Sequence, residues 1–300
     1  MGFGAAIPDG SAGVVFPMKG LCDGYHSVTF SVMAAGDFDE SELTEWDPSS
    51  IDKAIRGIGA FAKFWFRAEV RGLDNVPSDG GVLMVSNHSG GAFTPDVAVF
   101  GPAFYEALGY ARRLYTLGHY GLFRSPLAGW LRRIGVIGAS QENAAKALRA
   151  GGVVLVFPGG DYDSYRSTIE QNTIDFNGRK GYVRAAIAAD VPLVPVVSIG
   201  GQETQLFLGR GTRIAKTLGL HRIRVDILPL GIGFPFGLTS TIPANFPLPS
   251  KIIFEVLDPV HITEMFGEDP DVDEVDAHVR AVMQTGLNRL AKQRRFPIIG

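Results

Sequence analysis

GVLMVSNHSGGAFTPD, residues 81–96, is the stretch that decides the fold. Its first five residues form an apolar run bounded by polar residues, which predicts a short buried strand. Thr94 can cap a helix that begins at Pro95 and carries Asp96 in its first turn. This order of strand, glycine turn and helix predicts that His88 and Asp96 lie close together at the carboxyl end of the strand. Folds of the α/β class usually place their sites at the carboxyl ends of strands.

Strand and helix patterns alternate from about residue 81 to residue 258, which predicts an α/β fold with a largely parallel mixed sheet flanked by helices. The predicted helices are 141–151, 181–190 and 271–294. The predicted strands are 81–86, 113–117, 133–138, 152–157, 192–199, 222–231 and 251–258. Seven prolines or glycines in residues 231–251 predict an irregular apolar loop, which either covers the sheet edge or contacts lipid.

Composition excludes some classes of protein. A net charge of −3 argues against a nucleic-acid partner, because no domain-wide basic surface would attract phosphates. The single cysteine, Cys22, excludes an internal disulfide and fits a reducing compartment. The amino terminus lacks the basic region of a signal peptide, and no apolar run reaches the roughly 18–20 residues of a membrane span. We therefore expect a cytoplasmic protein, soluble or peripheral on the inner face of the cell membrane.

The domain prediction is an extension over residues 1–50 and a single α/β domain over 51–300. The extension includes an acidic linker, with six acidic residues in 37–47. Residues 51–72 predict an amphipathic helix, basic on one side and aromatic on the other, typical of a helix in a membrane interface. Packing of its apolar side on the core is the alternative. The predicted membrane contacts are Lys53, Arg56, Lys63, Trp65 and Arg67.

His88 and Asp96 also form the leading catalytic candidate. A histidine held by a carboxylate acts as a general base, able to remove a proton from an alcohol that attacks an acyl carbonyl. His119 is the alternative base. The sequence has no GxSxG nucleophile elbow, dinucleotide-binding fingerprint, P-loop or HExxH motif, so serine-esterase, dinucleotide, nucleotide-triphosphate and zinc-protease chemistry lack support.

Two further clusters suggest anion binding. The run VFPGG ends in Gly159 and Gly160, whose backbone amides could approach an oxyanion, although a plain tight turn explains them as well. Arg179, Lys180 and Arg184 come together at a helix start, which predicts a phosphate site or a merely solvated charge cluster.

Four blocks follow one another within about residues 80–201: NHSGG followed by PD, GHYGLFRSPLAGWLRRIGVIGA, VFPGGDYDSYR and VPLVPVVSIGG. Their order resembles the glycerolipid acyltransferases, the lysophosphatidate acyltransferase superfamily with its monoacylglycerol and diacylglycerol acyltransferase-like branch. The resemblance implies direct acyl transfer without a metal or cofactor. His88 would deprotonate a glycerol hydroxyl, which attacks the thioester of acyl-CoA or an acyl carrier protein, while Asp96 orients His88. Amides near Gly90, Gly91, Gly159 and Gly160 would hold the oxyanion.

Two departures from the family pattern matter. The family spacing of His, four residues, Asp places Phe93 at the acid position, and Asp96 follows three residues later. Tyr162 stands where an arginine commonly contacts the acceptor phosphate, and Gly159 replaces a glutamate. Either another basic residue contacts the phosphate of a lysophosphatidate acceptor, our first expectation, or the acceptor is a mono- or diacylglycerol. A non-catalytic lipid-binding protein and an acyl-CoA hydrolase are the alternatives of another class. The candidate phosphate ligands are Arg166, Arg179, Lys180 and Arg184.

Overall fold

The computed structural model describes residues 43, 45–223, 227–241 and 243–296. Most of the predicted extension, with Cys22, lies outside the described residues. No helix within these described ranges combines the length and the apolar composition needed to cross a bilayer. The helices are α1 (Pro48–Ala54), α2 (Ala60–Trp65), α3 (Pro95–Leu108), α4 (Ala128–Arg133), α5 (Gln141–Arg149), α6 (Gly160–Ser164), α7 (Gly181–Ala189), α8 (Thr212–Thr217), α9 (Ile262–Phe266) and α10 (Val272–Gln293).

A mixed seven-stranded sheet forms the centre of the fold, in the order β1-β10-β6-β2-β5-β3-β4. Neighbouring strands are parallel except β10 and β6, which are antiparallel. The predicted fold class, a largely parallel mixed sheet flanked by helices, is confirmed. The strands are β1 (Glu69–Arg71), β2 (Val82–Ser86), β3 (Leu114–Gly118), β4 (Val136–Gly138), β5 (Val153–Val156), β6 (Leu193–Ile199) and β10 (Ile253–Val256).

Strand β2 is central and wholly buried, as its apolar run predicts. Leu83 and Val85 point into a core that α5, α7 and α10 complete. Val82 and Met84 point into a second core, which includes residues of α1 and α3. Because both faces of a parallel sheet are covered by helices, its central strands are apolar at every position rather than at alternate ones.

The amphipathic helix predicted over 51–72 is shorter than expected. It starts at Pro48, where Asp47 accepts hydrogen bonds from the amides of Ser49 and Ser50, and it ends at Trp65 after a π-helical turn. Hydrogen bonds from Ser50 and Ser49 lower the pKa of Asp47 to about 2. The prediction was wrong for the last residues because Glu69–Arg71 pair with β10 as the edge strand β1, a contact that helical periodicity cannot reveal.

The strand predicted over 222–231 does not join the large sheet. Arg222 lies in a 3-10 turn (Leu220–Ile223), and Leu230 begins β8 (Leu230–Gly233). This strand pairs on one side with β7 (Leu206–Gly209) and on the other with β9 (Gly237–Thr239), in a separate antiparallel sheet. The segment 231–251 is therefore not wholly irregular, because two short strands fit between its prolines. Residues 224–226 lie outside the described range.

The other predicted elements agree more closely. The helices predicted at 141–151, 181–190 and 271–294 correspond to α5, α7 and α10. The strand predicted at 133–138 starts only at Val136, because the preceding residues complete α4.

Candidate active site

Three turns converge where the central strands end. Strands β5 and β6 flank β2 in parallel, so their carboxyl ends lie on the same edge of the sheet. The turn after β2 carries His88, the turn after β5 carries Gly159 and Gly160, and the turn after β6 carries Gln202. The sheet topology thus gathers residues more than 100 positions apart in sequence at one edge.

His88 and Asp96 are in direct contact. The Nδ1 atom of His88 lies 2.7 Å from Oδ2 of Asp96, whose side chain is completely buried. The same carboxylate accepts hydrogen bonds from the Ser89 amide at 2.8 Å and the Ser89 hydroxyl at 2.9 Å. A carboxylate on Nδ1 holds the proton there and leaves the lone pair on Nε2, the arrangement of a general base.

A left-handed glycine turn closes the longer spacing between these two residues. Gly90 and Gly91 have φ angles of +84° and +64°, followed by a 3-10 turn that delivers the chain to Pro95. A Cβ atom on Gly90 would lie only 2.4 Å from Cδ of Pro95, so only glycine fits. Phe93, at the acid position of the usual spacing, is 52% exposed. The glycine turn therefore accommodates the three residues by which this spacing exceeds the usual one, and Asp96 still reaches His88.

Asp163 binds the backbone of the same turn through a hydrogen bond from the His88 amide. Its Oδ2 atom accepts the His88 amide hydrogen at 2.7 Å, and its Oδ1 atom lies 2.8 Å from Nη2 of Arg166. Both side chains are buried. Burial raises the pKa of the Asp163 carboxyl, and Arg166 together with the His88 amide opposes that rise. Asp163 has no local signal in the sequence, because it lies 75 positions after His88.

Two side-chain amides tie the histidine turn to β6. Gln202 accepts the Gly90 amide hydrogen at 2.7 Å and donates to the Arg166 carbonyl at 2.6 Å. Asn87 exchanges hydrogen bonds with the backbone of Ser198 in β6, at 2.8 and 2.9 Å. The chain is therefore anchored on both sides of His88, at Asn87 and at Gly90.

The predicted oxyanion amides have different surroundings. The amide of Gly90 is engaged by Gln202, and the amide of Gly160 donates to the Phe157 carbonyl at 3.0 Å. These two amides cannot serve an oxyanion without breaking those bonds. The role predicted for Gly91 and Gly159 stays a prediction.

The predicted phosphate ligands do not gather in one place. Arg166 lies buried with Asp163 beneath the turn, so the expectation that it contacts an acceptor phosphate is not supported. Lys180 lies 2.7 Å from Asp273 on α10 and, with exposed Arg184 nearby, lowers the pKa of that carboxyl. Arg179 alone stays at the glycine turn after β5, where it donates to the Gly159 carbonyl at 2.8 Å.

Arg210, which the sequence analysis missed, lies at the third block. Its guanidinium carbon is 3.6 Å from the ring centroid of Tyr162, and Nε donates to the Tyr162 carbonyl at 2.6 Å. The Nη2 atom has no hydrogen-bond partner among the described residues. An arginine thus stacks on the tyrosine that replaces the family's arginine. No local signal could have found it, because Arg210 lies 48 positions after Tyr162.

The alternative base, His119, has a structural role. It is exposed, and its Nδ1 atom accepts the Gly121 amide hydrogen at 3.0 Å, which caps a 3-10 turn. No carboxylate contact of His119 is seen among the described residues, in contrast to His88. The geometry of a carboxylate-held base is therefore found at His88.

The predicted membrane-contact residues lie on α1, in the π-helical turn Ile55–Gly59, on α2 and just beyond. Lys53 is exposed, Arg56 pairs with Asp52, and Lys63 lies 3.4 Å from Glu106. Trp65 and Arg67 donate to the backbone carbonyls of Pro247 and Pro249, at 2.9 and 3.3 Å. The last two therefore join this helix to the segment before β10.

Comparison with known proteins gives several matches. The model of a family described as Acyltransferase matches residues 67–199. An uncharacterized protein of Mycobacterium leprae is 30% identical over 271 residues, which are 88% of this chain and 71% of that protein. A Homo sapiens protein named DGAT1/2-independent enzyme synthesizing storage lipids is 28% identical over 65% of this chain and 59% of its own length. The crystal structure of the 1-acyl-sn-glycerophosphate (LPA) acyltransferase from Thermotoga maritima has a TM-score of 0.48 and 18% identity, over 80% of this chain and 81% of that one.

Proposed function

Since this chain belongs to the glycerolipid acyltransferase superfamily and is an acyltransferase, we propose that it transfers a fatty acyl group from acyl-CoA to a glycerol hydroxyl of a lipid acceptor. An acyl carrier protein is the alternative donor, and 1-acylglycerol-3-phosphate is the proposed acceptor, which places the reaction in phospholipid synthesis. The observation that carries the proposal is the 2.7 Å contact between His88 and the buried carboxylate of Asp96.

The chemistry follows from the Nε2 atom of His88, for which no hydrogen-bond partner is seen among the described residues. This atom accepts the hydroxyl proton of the acceptor while the oxygen attacks the thioester carbonyl carbon. Asp96 stabilises the imidazolium that forms, and amides at Gly91 and Gly159 face the oxyanion. Collapse of the tetrahedral intermediate breaks the carbon–sulfur bond, and the imidazolium returns its proton to the thiolate. The products are the acylated lipid and free CoA.

The Ser89 hydroxyl is not placed to act as a nucleophile for His88. It donates to Asp96, on the Nδ1 side of the imidazole, rather than facing Nε2. This supports direct transfer to the acceptor, without an acyl-enzyme.

The acceptor headgroup is proposed to contact Arg210. Arginine is suited to bidentate contacts with phosphate, and the Nη2 atom of Arg210 is buried without a partner among the described residues. A neutral glyceride is the second candidate, because Arg179 is paired with Asp161 and Tyr162 carries no charge. The name of the Homo sapiens relative, an enzyme synthesizing storage lipids, favours the same alternative.

An acceptor panel tests the proposed function. Purified protein is given palmitoyl-CoA with glycerol-3-phosphate, lysophosphatidate, monoacylglycerol or diacylglycerol, and CoA release and lipid products are followed together. We expect acylated lipid in amounts equal to the CoA released, with lysophosphatidate preferred. Free fatty acid without need of an acceptor would identify a hydrolase. No turnover with either donor class would indicate a lipid-binding protein that has kept the fold.

Arg210→Gln separates the two acceptor classes. We expect KM for lysophosphatidate to rise roughly tenfold to a hundredfold with little change in kcat, because one hydrogen bond to a charged group contributes about 1.5–3 kcal/mol. Monoacylglycerol kinetics should not change. Lys292→Gln, which removes an exposed charge from α10, is the matched control. An unchanged KM for lysophosphatidate in the Arg210 variant would exclude this residue as its phosphate ligand.

Asp96→Asn tests the carboxylate while sparing the fold. The asparagine carbonyl can keep the contact with Nδ1, and its amide can meet the Ser89 hydroxyl, so only the negative charge is lost. We expect kcat to fall by about 10²-fold or more, since the imidazolium loses its partner. Ser89→Ala, which removes one hydrogen bond to the same carboxylate, should cost less than about tenfold. Equal kcat in Asp96→Asn and the wild type would show that Asp96 is structural only.

We also propose that the protein is peripheral on the inner face of the cell membrane. An acyl donor in water and a lipid acceptor in a bilayer meet only at the bilayer surface. Phe64 on α2 is 81% exposed, which supports a lipid-facing role for this helix.

A further inference from the structure

The small antiparallel sheet has one apolar face turned to solvent. Its register places Leu206, Ile232 and Leu238 in one row across the three strands. Directly opposed residues share a face of the sheet, and these three side chains are 51%, 41% and 64% exposed. Half-exposed leucine and isoleucine side chains in one row form a continuous apolar stripe rather than scattered surface residues.

The opposite face of this sheet packs on the histidine turn. Phe207, which neighbours Leu206 and points the other way, is 3% exposed. Its ring contacts Tyr165, and a Cβ atom on Gly91 would lie 2.9 Å from it. The sheet therefore stands between the candidate active site and the solvent that its apolar face meets.

The β8–β9 hairpin extends this surface with two aromatic side chains. Phe234 and Phe236, at the hairpin tip, are 71% and 56% exposed. Their backbone is fixed, because Phe246 donates to the Phe234 carbonyl at 2.7 Å and Phe236 donates to the side chain of Asn245 at 3.0 Å. The two phenylalanines are therefore exposed on an ordered, hydrogen-bonded hairpin.

Helix α2 continues the surface. The ring of Phe246 lies 6.3 Å from the ring of Phe61 and 5.8 Å from that of Trp65. Phe61 is 43% exposed, and Phe64 beside it is almost fully exposed. The helix and the hairpin thus share one aromatic junction.

Apolar exposure and positive charge coincide in the segment 204–250. It holds less than a sixth of the chain but ten of the 21 large apolar side chains exposed among the described residues. The described residues of this segment include four basic side chains and no acidic one, in a chain whose net charge is −3. The ten apolar residues are Leu206, Leu208, Ile214, Leu218, Ile232, Phe234, Phe236, Leu238, Phe246 and Leu248; the basic ones are Arg210, Arg213, Lys216 and Arg222.

We propose that the described residues of segment 204–250 (204–223, 227–241 and 243–250), with Phe61 and Phe64 of α2, bind the surface of a bilayer rich in anionic lipids. Apolar side chains enter the interface, and arginine and lysine attract anionic headgroups. An anionic bilayer disfavours acidic side chains, and the described residues of the segment include none; a protein partner would not require this. Binding at this surface would bring the enzyme to its lipid acceptor, so the inference rests on the proposed function. A bilayer bound there would lie one sheet layer, about 10 Å, from the histidine turn.

Vesicle binding by the full chain tests this surface without any acyl donor. The vesicles contain phosphatidylcholine alone or with phosphatidylglycerol, and bound protein is measured by co-sedimentation. Phe234→Ser with Phe236→Ser is expected to weaken binding by at least about tenfold, since burying even part of two phenylalanines is worth more than 1.4 kcal/mol. Leu127→Ser with Met265→Ser is the matched control, because these side chains are 59% and 52% exposed and lie outside the segment. Thermal melting checks that all variants fold.

A second pair of variants tests the charge. Arg213→Gln with Lys216→Gln should weaken binding to phosphatidylglycerol vesicles about tenfold or more at low salt, because each cation near an anionic surface contributes about 1 kcal/mol. Binding to phosphatidylcholine alone should not change. Lys292→Gln with Arg295→Gln, both exposed at the carboxyl end of the described chain, is the control.

Three results would overturn the proposal. The first is wild-type protein that does not bind anionic vesicles, and the second is that the phenylalanine and charge variants fold and bind like the wild type. The third is that the wild type is a dimer and that the phenylalanine substitutions dissociate it. The last would assign the surface to a second copy of the chain. His88→Ala should bind vesicles as the wild type does. The vesicle assay therefore tests the membrane surface independently of acyl transfer, and either proposal can fail without the other.

Discussion

Replacement of His88 by alanine is expected to lower kcat by about 10²–10⁴-fold, the usual contribution of a general base. The fold should survive, because the alanine amide still donates to Asp163 and the Asp96 carboxylate still accepts two hydrogen bonds from Ser89. The measurement is CoA release with saturating acceptor, alongside a thermal melt of the same preparation.

His119→Ala is the matched control, because this histidine also follows a strand of the large sheet but caps a local turn. Its kcat should stay within a few-fold of the wild type. A folded His88 variant with wild-type turnover would refute the assignment of the base, and a large loss in the His119 variant would transfer that role to His119.

Asp163→Ala is expected to destabilise the protein by about 3–5 kcal/mol, which is the cost of leaving one partner of a buried ion pair alone. The variant leaves the Arg166 guanidinium without its carboxylate partner, in a side chain that is 4% exposed. It also removes the acceptor of the His88 amide hydrogen. The free energy of unfolding from urea titration measures the effect. Turnover should also fall in the variant that remains folded, since the turn that holds His88 loses its support.

Asp161→Ala provides a control two residues away. Asp161 also pairs with an arginine, Arg179 at 3.0 Å, but both side chains are largely exposed. Exposed ion pairs contribute about 0–1 kcal/mol, so this variant should unfold close to the wild-type midpoint. If the two variants lose equal stability, burial does not distinguish the two pairs and our account of the turn is wrong.

The central strand and the start of α3 could be predicted from the sequence because their signals are local. An apolar run bounded by turn residues specifies β2, and Pro95 followed by Asp96 specifies the helix start. The cap predicted at Thr94 was wrong, because its side chain makes no capping hydrogen bond to the first turn. Since strand and helix meet in one turn, the proximity of His88 and Asp96 also followed. The 2.7 Å contact depends on two left-handed glycines, which the sequence offers at the required positions.

Asp163 and Arg210 could not be predicted because their partners are distant in sequence. Whether an arginine binds a ligand or a buried carboxylate depends on what tertiary packing places beside it. Arg166 and Arg179 illustrate this, since the first, at the end of the third block, is buried under the histidine turn and the second, which follows the block, lies at the surface. Edge strand β1 and the small sheet were missed for the same reason, because their pairing partners decide their conformation.

Phe61 and Phe64 of α2 lie at the surface, and the membrane contact predicted for this helix stays a prediction. The hairpin was not anticipated. Its prolines and glycines indicated an irregular segment, whereas the register of β7, β8 and β9 aligns one row of apolar side chains. Only the paired strands show that this row and the buried Phe207 lie on opposite faces.

The most direct test of the central claim is a single-turnover experiment with enzyme in excess over radiolabelled palmitoyl-CoA. Acid-quenched samples are analysed for free CoA, labelled lipid, labelled fatty acid and labelled protein, with and without lysophosphatidate. Direct transfer activated by His88 predicts CoA release only when the acceptor is present, matched by labelled lipid, and no label on the protein. Release of CoA without acceptor, with the label on the protein or in free fatty acid, would contradict it.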